Sequence, residues 1–135
     1  MDDDELIERF EDASLPLDSL HHEEHVRIAF LYLCRYTLLE VLRRFPSDLR
    51  RYASAHGKAG LYHETISWAY VFIIHERMAA AAEPTTWDEF RQRNRDLFDR
   101  QRPILTEYYC DDTLASATAR ARFVMPDRSL RSFSR

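Results

Sequence analysis

Glycine is almost missing from this chain: Gly57 and Gly60 are the only two in 135 residues. Their scarcity excludes Gly-rich phosphate loops, and neither GxGxxG nor GxxxxGK[ST] occurs. It also disfavours a β-sandwich, whose many tight turns draw on glycine. Cysteine is equally rare. Cys34 and Cys110 lie far apart and form no CxxC, so there is no thiolate zinc site and no redox pair. Cys34 falls inside an apolar stretch and is expected to be a buried, inert thiol. No apolar run approaches the ~20 residues that span a bilayer. The stretch Met1–Glu5 is acidic, the reverse of a signal-peptide start. A cytoplasmic protein without membrane contact is the expectation. Positive charge is also short, with 19 basic against 23 acidic residues and a net charge of −4. Bulk charge therefore makes nucleic acid an unlikely partner.

What the chain does have is apolar content and helical patterning. Hydrophobic residues make up 45%, enough for one domain's core, and a chain of this size buries roughly two-thirds of its unfolded surface. Asp3 to Asp12 reads as a short amphipathic helix with Leu6, Ile7 and Phe10 on one side. Ala13 to Leu20 is a linker broken by Pro16. A second helix, about 22–36, carries Val26 to Cys34, which are apolar nearly all round. That pattern marks a central helix covered on most sides. Thr37, with Glu40 in capping-box spacing, opens a third helix. Pro46 should kink or split it, and Gly57 should end it. A fourth helix, about 62–82, is again apolar nearly all round and is the second central one. Thr86 caps a fifth helix over about 87–94. A sixth should start at Pro103 and run through Tyr109. A last turn or two follows through Ala119, then an extended strap over 123–126. The expectation is an all-α, single-domain bundle over 1–126, with a flexible tail over 127–135.

Histidine is clustered rather than scattered. His21, His22 and His25 open the first central helix, and His63 and Glu64 open the second. Short connections make helices two, three and four antiparallel neighbours. Helices two and four are then parallel, and their N-terminal ends meet at one end of the bundle. His22 and His25, at i and i+3, share a helix face with Cβ atoms about 5–6 Å apart. His63 would add a third nitrogen, and Glu64 a fourth ligand or a general base beside an open position. Three protein ligands plus water is the pattern of catalytic zinc. His with carboxylate also suits iron, copper or nickel. Against this, helix N-termini carry partial positive charge, which disfavours a cation, and histidines there also serve as plain solvent-facing polar residues. Tyr62, Thr65, Ser67 and Tyr70 would line a pocket beneath such a site. His75, three turns beyond Glu64, lies too far along the axis to share it.

The pattern Leu20-His21-His22-Glu23-Glu24-His25 followed by an apolar helix, with Tyr62-His63-Glu64-Thr65 opening another, resembles a group of small bacterial all-α proteins of no assigned function. The resemblance spans roughly residues 20–78. It implies that His22, His25 and His63 are the matching positions and that His21 is the variable one.

Three functional expectations follow. The first is a metal-dependent enzyme acting on a small molecule, hydrolytic or oxidative, with a divalent metal (Zn, Fe or Cu) on His22, His25 and His63 and with Glu64 as the catalytic group. The second is a non-enzymatic module binding a small ligand or a protein, with a homodimer allowed. The third is remote. Arg51 and His56 have the Arg-x4-His spacing of HEPN ribonucleases, in which Arg stabilises phosphate charge and His handles the 2′-hydroxyl proton.

Overall fold

The computed structural model describes residues 1–128. They form seven α-helices and no strand: α1 (Asp3–Glu11), α2 (His22–Arg35), α3 (Leu38–Ala55), α4 (Glu64–Ala80), α5 (Trp87–Arg93), α6 (Asp111–Ala115) and α7 (Ala117–Ala121). Short 3-10 turns at Leu17–Ser19, Ala59–Leu61, Arg95–Phe98 and Ile104–Glu107 join them. No helix among the described residues is long and apolar enough to cross a membrane. The protein is an all-α, single-domain bundle.

Helices α1, α3, α5 and α7 start where the sequence supplies an oxygen for the unpaired N–H groups of the first turn. Asp2 accepts from Glu5 N at 2.8 Å, Thr37 from Glu40 N and Thr86 from Glu89 N. The core they enclose is aromatic at one side. Phe10 of α1 lies 5.5 Å from Tyr52 and 6.2 Å from Phe45, ring centre to ring centre, which seats α1 across α2 and α3. Arg27 ties the start of α1 to α2 through Asp3 at 2.6 Å. Tyr32, fully buried, reaches both Glu11 (2.9 Å) and Asp48 (2.7 Å) with its hydroxyl.

Helices α2 and α4 run parallel through the centre. Early in α2, His22 sets its ring 5.1 Å from Tyr70 in the first half of α4. Later in α2, Phe30 meets Phe90 (4.9 Å) and Trp87 of α5, the helix that follows the end of α4. Each consecutive pair of helices turns back on itself, with Tyr32 of α2 against Phe45 of α3 (5.6 Å) and Arg50 of α3 paired to Glu64 of α4 (3.1 Å), which gives α2 and α4 the same direction.

Several local expectations need correction. Of the two alternatives at Pro46 the split does not occur, and α3 continues from Leu38 to Ala55. The proline is itself buried beside Val41 and Phe45, so packing of this face offsets the lost hydrogen bond and ring clash, a cost of about 3 kcal/mol in an exposed helix. Cys34 is exposed, not buried, because the all-round burial of α2 extends only to Tyr32 and its last turn faces solvent. The expected sixth helix after Pro103 is a 3-10 turn, Ile104–Glu107.

The strap at 123–126 is extended. Phe123 stacks on Trp68 at 5.3 Å. Fully buried Thr65 donates to Arg122 O (2.9 Å) and accepts from Val124 N (3.0 Å). Asp127 N and Arg128 N both donate to Tyr108 O. The rest of the expected tail, 129–135, lies outside the described residues.

Candidate functional site

The site begins with how α4 starts. His63 is the N-cap, in extended conformation at φ −136°, and its Nδ1 accepts from Ile66 N at 3.1 Å. That bond fixes the tautomer: the proton is on Nε2, which donates to Leu114 O at 2.8 Å. One imidazole thus caps α4 and fastens the end of α6 to it. Both ring nitrogens are used, and no lone pair remains for a metal.

Glu64 follows, and its carboxylate is committed as well. Oε1 accepts from the Tyr62 hydroxyl and, at 3.1 Å, from the Arg50 guanidinium. Arg50 also lies over the Tyr62 ring, 4.7 Å from its centre. Burial, together with the Glu64 carboxylate, holds the Tyr62 phenol well above its ordinary value. Glu64 is therefore part of a neutralised surface pair rather than a free base.

At the start of α2, Glu24 accepts from His21 N at 2.9 Å and closes the first turn. His22 donates from Nε2 to Leu97 O at 2.8 Å, with Tyr70 and Phe98 edge-on to its ring. It fastens the 3-10 turn after α5 to the bundle. His25, one turn further on, differs from the others. Its ring makes no hydrogen bond to any other described residue. Burial, then the neighbouring His22, hold its pKa down at about 4, so the imidazole is neutral at pH 7. No sealed polar side-chain atom in the described structure lacks a partner. The His25 nitrogens are therefore not sealed inside the protein, and the residue lines two neighbouring cavities.

Two lobes meet at His25. The outer lobe, about 340 Å³, lies between the Leu17–Ser19 turn, the end of α3 and the start of α4, with walls that include Leu17, Leu20, Tyr52 and Tyr62. The inner lobe, about 80 Å³, runs between α2, α3 and α4 against Val26, Ala29 and Phe45. His25, Leu49, Ile66 and Ser67 line both. The outer lobe alone falls within the range of small-molecule sites.

A larger cavity, about 560 Å³, lies on the far half of α4 beneath the strap. Its polar lining side chains are the exposed His75 and Glu76, half-buried Tyr108 and buried Tyr109. Tyr109 already donates its hydroxyl to Val124 O at 2.7 Å, whereas the His25 ring has no hydrogen-bond partner among the described residues.

The three histidines expected to share a metal are thus in one region but not in one donor set. Among the described residues, no group of three or more His, Cys, Asp or Glu side chains is arranged to hold a metal ion. His22 packs on Tyr70, seven residues past His63, which is about 10 Å along the α4 axis. This offset separates His22 from His63 although the two helix starts lie at the same end. His25 and His63 do line the same outer lobe.

Arg51 and His56 are brought near one loop and bound there. Arg51 pairs with Asp48 at 3.1 Å and donates to Glu11 O at 3.0 Å. His56 stacks on Tyr52 and bonds Ala13 O at 3.0 Å. Ala13 carries φ +63°, and the two contacts hold the chain as it leaves α1.

One residue of the cavity escapes the sequence reading. Lys58 lines the outer lobe because α3 ends in a Schellman motif. Gly57 takes φ +70°, its N–H donates to Ser54 O, and Lys58 N donates to Ala53 O at 2.7 Å. The glycine after an apolar stripe was the available signal, since this motif lays the next residue back against the helix. Comparison of the chain with protein-family models, with curated proteins and with solved structures finds no match.

Proposed function

We propose that this protein is a binding module for a small, largely apolar molecule that carries a hydrogen-bonding group, held in the His25 cavity. The observation that carries the reading is the His25 imidazole, largely buried, neutral and without a hydrogen-bond partner among the described residues, where the two lobes meet. A neutral imidazole offers one donor and one acceptor. In apolar walls a single such group fixes orientation while the walls supply affinity. His22, His63 and Glu64 support the site from outside by holding the surrounding elements in place.

Calorimetric titration with 1-octanol tests the reading, since this probe has an apolar chain and one hydroxyl. Saturable 1:1 binding is expected, and His25→Phe should weaken it about tenfold, the worth of one hydrogen bond. Absence of saturable binding, or equal affinity in the variant, would contradict it.

A further inference from the structure

We propose that the natural ligand is anionic, a carboxylate on an apolar chain of medium length, with its head group held between Lys58 and His25. This rests on the ligand-binding reading above and names the ligand class for that site.

Lys58 is the only lysine among 19 basic residues. It lines the outer lobe and takes part in none of the ion pairs of the described residues. The arginines around it are committed: Arg50 to Glu64, Arg51 to Asp48, and Arg120 to the carbonyls of Gly60 and Tyr62. A lysine ammonium on its flexible stem can follow a ligand head group in a way these fixed guanidinium groups cannot. The Lys58 backbone is itself anchored by the bond to Ala53 O.

The fold adds to this cation. Parallel α2 and α4 bring two helix N-termini toward this end of the bundle, and each carries partial positive charge. The feature that disfavours a metal ion here favours an anion. Helix α3 ends at the same place with the opposite sign, and Lys58 follows that end directly. Of the carboxylates nearby, Glu64 is neutralised by Arg50, and Glu24, whose charge reaches His25, is bonded to His21 N and Nδ1. Asp18, exposed on the Leu17–Ser19 turn, is near enough for its charge to act on the Tyr52 phenol. Its negative charge opposes an anionic head group at this mouth.

His25 supplies the second contact. As a neutral imidazole it donates one N–H to a carboxylate oxygen while the ammonium takes the other. The apolar chain then lies on the leucine wall of the outer lobe, and its end reaches the inner lobe, where Val26, Ala29 and Phe45 stand beside His22 and Tyr70. A cationic head group would meet Lys58 and the helix N-termini with like charge.

The test compares octanoate, 1-octanol and octylammonium on the full chain by calorimetry at pH 7. Octanoate should bind at least tenfold more tightly than 1-octanol, with octylammonium weakest. The octanoate preference should shrink as salt is raised, because the mouth is open to solvent. Lys58→Met should bring the octanoate-to-octanol ratio close to one, and Asp18→Asn should raise octanoate affinity severalfold. Lys58 is exposed, so its replacement does not threaten the fold. Octanol binding as well as octanoate, or a Lys58→Met variant that keeps the preference, would overturn the carboxylate proposal and leave the binding reading standing. If none of the three probes binds saturably, the binding reading fails first.

Discussion

The histidines of this bundle divide by what their ring nitrogens touch. His63 gives both nitrogens to the protein, Nδ1 to the start of α4 and Nε2 to Leu114. His63→Ala removes a helix cap and leaves the Leu114 carbonyl without its donor, so unfolding free energy should fall by roughly 2–3 kcal/mol. His63→Asn keeps an oxygen for the cap and should lose about half as much. Urea titration of the three proteins checks this order. His25 does the opposite, giving neither nitrogen to a described residue, and its burial has a pH consequence. Its folded pKa, about 4, lies below the ordinary 6.5. Between these values the unfolded chain binds the proton and the folded chain does not. Stability from this group is full above about pH 6.5 and is lost as pH falls toward 4. The slope approaches about 1.4 kcal/mol per pH unit at most. Wild type should therefore lose more stability between pH 7 and pH 5 than His25→Phe does, by chemical denaturation at both pH values. Equal losses would mean that His25 is open to water.

At the scale of elements, two devices outside the central helices fasten the end of α3 and the outer side of α4. The first is the Schellman turn after α3. Nothing lies within 4 Å of a Cβ placed on Gly57, so only its φ of +70° opposes a side chain. Gly57→Ala should cost about 1 kcal/mol by thermal or urea unfolding, and a neutral result would mean the turn relaxes. The second is the strap. Thr65→Val leaves the Val124 N–H without its acceptor, at a cost of about 1–3 kcal/mol. It should also free Phe123 from Trp68, seen as a red shift in tryptophan emission, and an unchanged emission maximum would show that the stacking alone holds the strap. The strap was legible in the sequence as an apolar, Pro-ended run after the last short helices. The α2 and α4 pair was legible too, because two helices apolar all round must sit in the middle and short connections fix their directions. Their axial offset was not legible. Direction follows from connection length, but register follows from how side chains such as Tyr70, Phe98 and His22 interlock, and those contacts join residues far apart in sequence. The continuous α3 was hidden for a similar reason, since local propensity at Pro46 argues for a break that core packing overrides.

The whole molecule is a bundle that brings two helix starts to one end and leaves a two-lobed cavity between them, with the His25 imidazole inside and without a partner among the described residues. The histidine cluster drew attention to the correct end of the bundle, yet three of its members have structural partners that no spacing rule contains: Leu97 O for His22, Leu114 O for His63 and the Tyr62–Arg50 pair for Glu64. Lys58 and the leucines of the outer lobe were invisible because a cavity is a property of three packed elements rather than of any one. The most direct test of the central claim is a methyl NMR titration of the full chain with 1-octanol, which reports where the molecule sits. The account predicts saturable shifts at Leu20, Leu49 and Ile66, around His25, with Ile73 and Met125, which line the strap cavity, unmoved. Shifts confined to Ile73 and Met125, or no saturable shift at any methyl, would contradict it.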